Sequence, residues 1–252
     1  MSASVAPIVL LSIPGFSEPF SSLSHLAGAA VFAWLGVYLV LRGRGSAGRM
    51  ASLIVFALSC VLLLSMSGVY HLLSPSGVPR YVLHRLDHAA IFILIAGSFT
   101  PVHVILFRGP WRWGMLAIVW TMAITALTLK TVYFDSMPEW LGLLLYLGLG
   151  WFGLVSGIAM ARRFGFRFIR PVLWSALAYT FGALADFAHW PELVPGIFGS
   201  HELFHIAVLA GIAFHWKFIL GIASGDIPDE SEGESIGRSI PIGRSAVVSG
   251  AP

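Results

Sequence analysis

The chain of 252 residues is 57% hydrophobic and 11% charged, against roughly 45–50% and about 25% in an ordinary soluble domain. That composition excludes a soluble globular enzyme and marks an integral membrane protein whose apolar residues face lipid or one another. The net charge of +3 does not signal a nucleic-acid partner, because the arginines fall in short clusters between apolar blocks, as membrane-flanking charges do.

A first apolar segment, Val5 to Ile13, is interrupted by Pro14 and has no Lys or Arg before it. It is too short to span and lacks the basic region of a secretory signal. Seven later stretches reach the length needed to cross a bilayer: Ser22–Leu41, Met50–Leu73, Tyr81–Phe107, Trp111–Tyr133, Trp140–Ala161, Phe168–Trp190 and Ser200–Ala223. Turn-forming clusters separate them, among them Arg42-Gly43-Arg44-Gly45, Ser74 to Pro79, Arg108-Gly109-Pro110 and Asp135 to Pro138. Trp111, Trp113, Trp140, Trp190 and Trp216 sit near span ends, as an interfacial belt would. The fold expected is an all-α membrane protein, a seven-transmembrane helix bundle over residues 22–224. Residues 1–21 form a short N-terminal segment. Residues 225–252, acidic and then Ser/Gly-rich, form a tail expected to be disordered and cytoplasmic. The lone Cys60 lies inside an apolar run and leaves no disulfide framework.

Orientation follows from the loops. Arg42, Arg44, Arg49, Arg108, Arg112, Arg162, Arg163, Arg167, Arg170 and Lys217 collect on one face, Arg80, Arg85 and Lys130 on the other, ten against three. The positive-inside rule then places the N-terminus outside and the C-terminus in the cytoplasm, in a bacterial inner membrane.

With seven spans, the end of the second, the start of the third, the end of the sixth and the start of the seventh share one side. His71, Asp87, His201 and His205 therefore lie at similar depth on the face opposite the arginine-rich loops. Ionisable groups at membrane depth are costly and point to function. His201 and His205, four apart, present both imidazoles on one helical face. Three imidazoles with a carboxylate nearby suit Zn²⁺ with a position left for water. Asp87 is the candidate to orient or deprotonate that water, directly or as a fourth ligand. Ser67, one turn before His71, is the candidate to hold the water or a developing oxyanion.

These residues carry a family resemblance. Ser67-Gly68-Val69-Tyr70-His71, Leu86-Asp87-His88 and Ile95 to Pro101 resemble the hemolysin III family, grouped with the progestin and adiponectin receptors and more distantly with alkaline ceramidases. Glu18-Pro19 with Ser24 to Gly28 looks like its opening motif, and Tyr179 to Gly182 and His201-x-x-x-His205 its closing ones. The resemblance runs from about Glu18 to Ala223. It implies zinc held by His71, His201 and His205, with Ser67 and Asp87 beside the metal and its water. Ceramidases, unlike adiponectin receptors, place the N-terminus on the far side of the membrane, which agrees with the charge count. The chain departs from the family pattern at Asp186 and His189, read from sequence as a local i,i+3 pair at a helix end, with support of a zinc ligand by Asp186 as the alternative. His88 is expected to hydrogen-bond between helices, His25 to brace the site, and His84 to lie in the outer boundary layer. His103 and His215 fall near the cytoplasmic ends, and Lys130 is expected to snorkel.

The function implied is a zinc-dependent membrane hydrolase acting on a lipid amide or ester, with a lipid-like substrate and the bilayer itself as partners. Three other readings compete. His201-Glu202-Leu203-Phe204-His205 satisfies the H-E-x-x-H pattern of zinc proteases, with Glu202 as base. A receptor or sensor with structural zinc would fill all four positions from protein. A pore would need a charged stripe through several spans, and none is present in the sequence.

Overall fold

The computed structural model describes residues 18–75, 77–194 and 198–228. The N-terminal Val5–Ile13 segment and the tail from residue 229 onward lie outside the described residues. Among the described residues there are eight helices: α1 Pro19–Arg42, α2 Ala47–Leu72, α3 Val78–Leu106, α4 Gly109–Val132, α5 Glu139–Trp151, α6 Gly153–Phe164, α7 Phe166–Phe187 and α8 Ser200–Ser224. Seven segments are long and apolar enough to cross a membrane, α5 and α6 together making one of 26 residues. The protein is thus a multi-pass, all-helical membrane protein, as expected. The first span begins at Pro19 rather than Ser22, because a proline at the first helical position loses no hydrogen bond and has its φ already set.

Local chemistry fixes the helix ends. Ser46 caps α2 by accepting the Arg49 N–H at 3.4 Å. Gly225, at φ 89°, ends α8 in the left-handed conformation, and the following Asp226 N–H returns to Gly221 O at 3.0 Å. Prolines open α3 and α4. The fifth span is not continuous as the sequence suggests: the helix breaks at Phe152, whose N–H closes α5 on Gly148 O while its own carbonyl starts α6 through Val155 N–H at 3.2 Å.

Helix α3 is central, packing against α2, α4, α5 and α8, while α1 leans on α2 and α8, and α7 on α8, α6 and α5. The main core joins Leu39, Leu53, Phe56, Leu64, Leu106, Ile212 and Ile219, all 1% exposed or less. Close approach of α7 and α8 depends on small residues: a Cβ on Gly211 would lie 2.5 Å from the Tyr179 ring. We expect Gly211→Ala to lower stability by about 1–3 kcal/mol through overpacking, read as an earlier thermal unfolding of the detergent-solubilised chain.

Lys130 does not snorkel. It is 7% exposed, with its ammonium 4.8 Å above the Phe134 ring and against Gly142. A glycine facing it leaves room for the stem inside the bundle, and the aromatic face holds the cation there.

Candidate metal centre

Helix parity brings the end of α2, the ends of α3 and α1 nearest it, the end of α7 and the start of α8 to one face. His71 sits in the last turn of α2 and is 1% exposed; His205 on α8 is equally buried, and His201 is partly open. One ring nitrogen from each of these three residues falls within 4.8 Å of the others. The His201 Nε2 lies 3.3 Å from His71 Nε2 and 3.2 Å from His205 Nε2.

The outer nitrogens explain what that convergence means. His71 Nδ1 meets the Glu18 carboxylate, and His201 Nδ1 meets Asp186 Oδ1 at 3.2 Å. A carboxylate accepts only, so each Nδ1 carries the proton and donates it. In neutral rings the Nε2 atoms of His71 and His201 then present lone pairs to one another. Such an arrangement could hold a cation. With Zn–N bonds of about 2.0–2.1 Å, tetrahedral ligands stand about 3.3–3.4 Å apart, so the two observed separations fit one zinc ion.

Glu18 is held in turn. Its other oxygen pairs with Arg80, whose guanidinium also donates to Leu73 O at 2.6 Å and lies 4.5 Å from the centre of the Tyr70 ring. The Glu18 N–H bonds His71 O at 3.2 Å, tying the entry of α1 to the end of α2. Burial pushes the Glu18 carboxyl up, but the hydrogen bonds and charges of His71 and Arg80 outweigh it and bring its pKa down to about 2. It is therefore a full carboxylate at any physiological pH, the state needed to fix the His71 tautomer. Glu18→Gln is expected to weaken metal affinity about 10–100-fold without unfolding the helices, as read by competition against a chelating dye.

Asp186 pairs with His201 rather than His189, which corrects the local reading of that pair. Helix α7 ends at Phe187 and His189 turns to φ 51°, so the two side chains do not share a helical face. The His88 Nδ1 donates to His84 O, 3.0 Å away in its own helix, and among the described residues it makes no hydrogen bond to another helix. His25 behaves as expected of a brace, its ring 3.9 Å from that of His205 and its Nε2 3.4 Å from His205 O. His84 stacks on Tyr70. Glu202 caps α8, accepting the Gly199 N–H at 2.9 Å, and also takes the Ser21 hydroxyl at 3.4 Å. The metalloprotease base is thus occupied as a helix cap.

Ser67 and Asp87 line a cavity of about 270 Å³ with His201, His205 and His25. Ser67, Asp87 and His201 share the polar end of that cavity. From this polar end the cavity runs between α3, α5–α6, α7 and α8, through mostly apolar walls, to His103 and Ser156 near the opposite face. There His103 Nδ1 donates to Trp111 O at 3.0 Å and Nε2 accepts the Ser156 hydroxyl at 2.9 Å. The sequence brings His103 into no site, and its place on the same cavity emerges only from the packing.

The sequence profile described as "Haemolysin-III related" matches residues 16–216. The chain belongs to this family. Among haemolysin-III relatives it is 28% identical over 205 residues to Hemolysin-3 of Bacillus cereus, covering 81% of this chain and 90% of that protein. It is 25% identical over 198 residues to a Hemolysin-3 homolog of Bacillus subtilis, covering 78% and 89% respectively. A wider kinship appears with the ADIPOR-like receptor IZH1 of Eremothecium gossypii, at 24% identity over 232 residues, 83% of this chain and 71% of that protein. The match to the haemolysin-III profile begins two residues before Glu18, so it takes in the carboxylate that sets the His71 tautomer as well as all three histidines.

Proposed function

We propose that this haemolysin-III-related protein is a zinc-dependent membrane hydrolase that cleaves a lipid amide or ester, with the ion held by His71, His201 and His205. The observation that carries the reading is the meeting of the His71 and His201 Nε2 atoms 3.3 Å apart, with the third histidine beside them and each outer Nδ1 turned to a carboxylate. Bound there, zinc would supply a Lewis acid and a water acidified towards neutral pH.

The rest of the chemistry belongs to the chain. Asp87 is placed to take a proton from water and return it to the departing amine or alcohol. The Ser67 hydroxyl, on the same cavity wall, would hold the water or the developing oxyanion. The apolar walls of the cavity would exclude bulk water and accept an acyl chain, with the scissile carbonyl at the histidine end. The topology that accompanies this reading has the N-terminus outside and the zinc near the outer face of a bacterial inner membrane, supported by the ten-to-three charge count. Reporter fusions after Ala223 test it, and an external C-terminus would reverse it.

The kinship with an ADIPOR-like receptor favours a second reading, a receptor whose zinc is structural. The two part on turnover. Purified, zinc-loaded protein should release fatty acid from a ceramide, an acyl-ethanolamide or a lysolipid. Absence of turnover on all three, together with an Asp87→Asn variant that behaves as wild type in cells, would leave the receptor.

A further inference from the structure

On the face opposite the histidines, a groove of about 770 Å³ opens between α2 and α4 over the outward side of α3. We propose that this groove is a binding site for an anionic glycerophospholipid, phosphate at the arginine-rich rim and one acyl chain laid along the apolar floor.

Charge comes from two independent sources at the rim. Arg49, Arg108 and Arg112 all line it, and among the described residues no carboxylate does. Arg49 donates to the backbone carbonyls of Ile222, at 3.1 Å, and Ala223, and Arg112 to that of Phe107 at 2.7 Å. Bonds to neutral carbonyls position a guanidinium and leave its charge in place. Helices α2 and α4 both begin here, at Ala47 and Gly109. The positive dipole ends of both helices lie at the same rim, which favours an anion.

Below the rim the groove changes character. Val55, Val104, Ile105, Leu116, Ala117 and Trp120 line it. From Arg112 to Trp120 the floor descends about 12 Å along α4, a depth that suits hydrocarbon and serves no purpose for a free phosphate. Trp113, 63% exposed beside Arg112, marks the headgroup level. Basic pockets between spanning helices, open to lipid at one side, are the setting in which anionic headgroups are held.

The test uses full-length protein in detergent, mixed with dioleoyl-phosphatidylglycerol or dioleoyl-phosphatidylcholine, with bound lipid counted by native mass spectrometry. Phosphatidylglycerol should be retained in preference to phosphatidylcholine. Arg108→Gln with Arg112→Gln should weaken its retention roughly tenfold or more. Ala117→Trp, which fills the floor and alters no charge, should weaken it as well. Circular dichroism checks that both variants keep their helices. Equal retention of the two lipids overturns the proposal. So does unchanged phosphatidylglycerol binding in the arginine variant, while unchanged binding in Ala117→Trp would assign the lipid to the open protein surface instead of the groove.

Discussion

Asp87→Asn is expected to keep its zinc and lose about two to four orders of magnitude in lipid hydrolysis. The carboxylate lines the cavity with His201 and Ser67, while the three imidazoles of the proposed zinc site come from α2 and α8. Asparagine preserves the shape but cannot take a proton from water. Metal content and turnover should therefore separate. Single-turnover hydrolysis of a fluorescent ceramide, beside zinc analysis of the same sample, reads both. If zinc leaves together with activity, Asp87 is a ligand rather than a base.

His201→Ala is expected to abolish stable metal binding. His201 is the middle of the cluster, 3.3 Å from His71 Nε2 and 3.2 Å from His205 Nε2, and its removal leaves two ligands that come from different helices. It also strands Asp186, which has His201 Nδ1 as its partner, so a small loss of stability should accompany the loss of metal. Asp186→Asn provides the graded comparison. It retains the ligand but weakens control of its tautomer, and its affinity should fall about 10–100-fold. Dialysis against zinc buffers followed by metal analysis distinguishes the two variants. Full occupancy in His201→Ala would remove this residue from the site.

Much of this was legible before the structure. Seven apolar blocks punctuated by Gly, Pro and Arg required seven spans, and counting their directions placed His71, Asp87, His201 and His205 on one face. The supporting shell was less legible. Glu18 stood out as part of a motif, yet the same parity that places His71 also puts the start of α1 on that face, so the signal was present. Asp186 was obscured by His189, three residues on; helical geometry would pair them, but the chain leaves the helix at Phe187. The break at Phe152 could not be read from apolar continuity, since the residues on both sides of it, Gly148, Gly150 and Gly153 among them, leave the hydrophobic run unbroken. Lys130 showed the limit of reading a charge by depth alone, because the Phe134 ring that shelters it belongs to the next loop.

The most direct test of the account is the zinc content of the purified wild-type chain, with Glu202→Gln measured beside it. The account predicts about one zinc per chain in both, because Glu202 caps α8 through Gly199 and takes no part in the cluster. A wild-type protein that carries no metal after purification in chelator-free buffer with zinc supplied would contradict it, and would reduce His71, His201 and His205 to packing within the bundle.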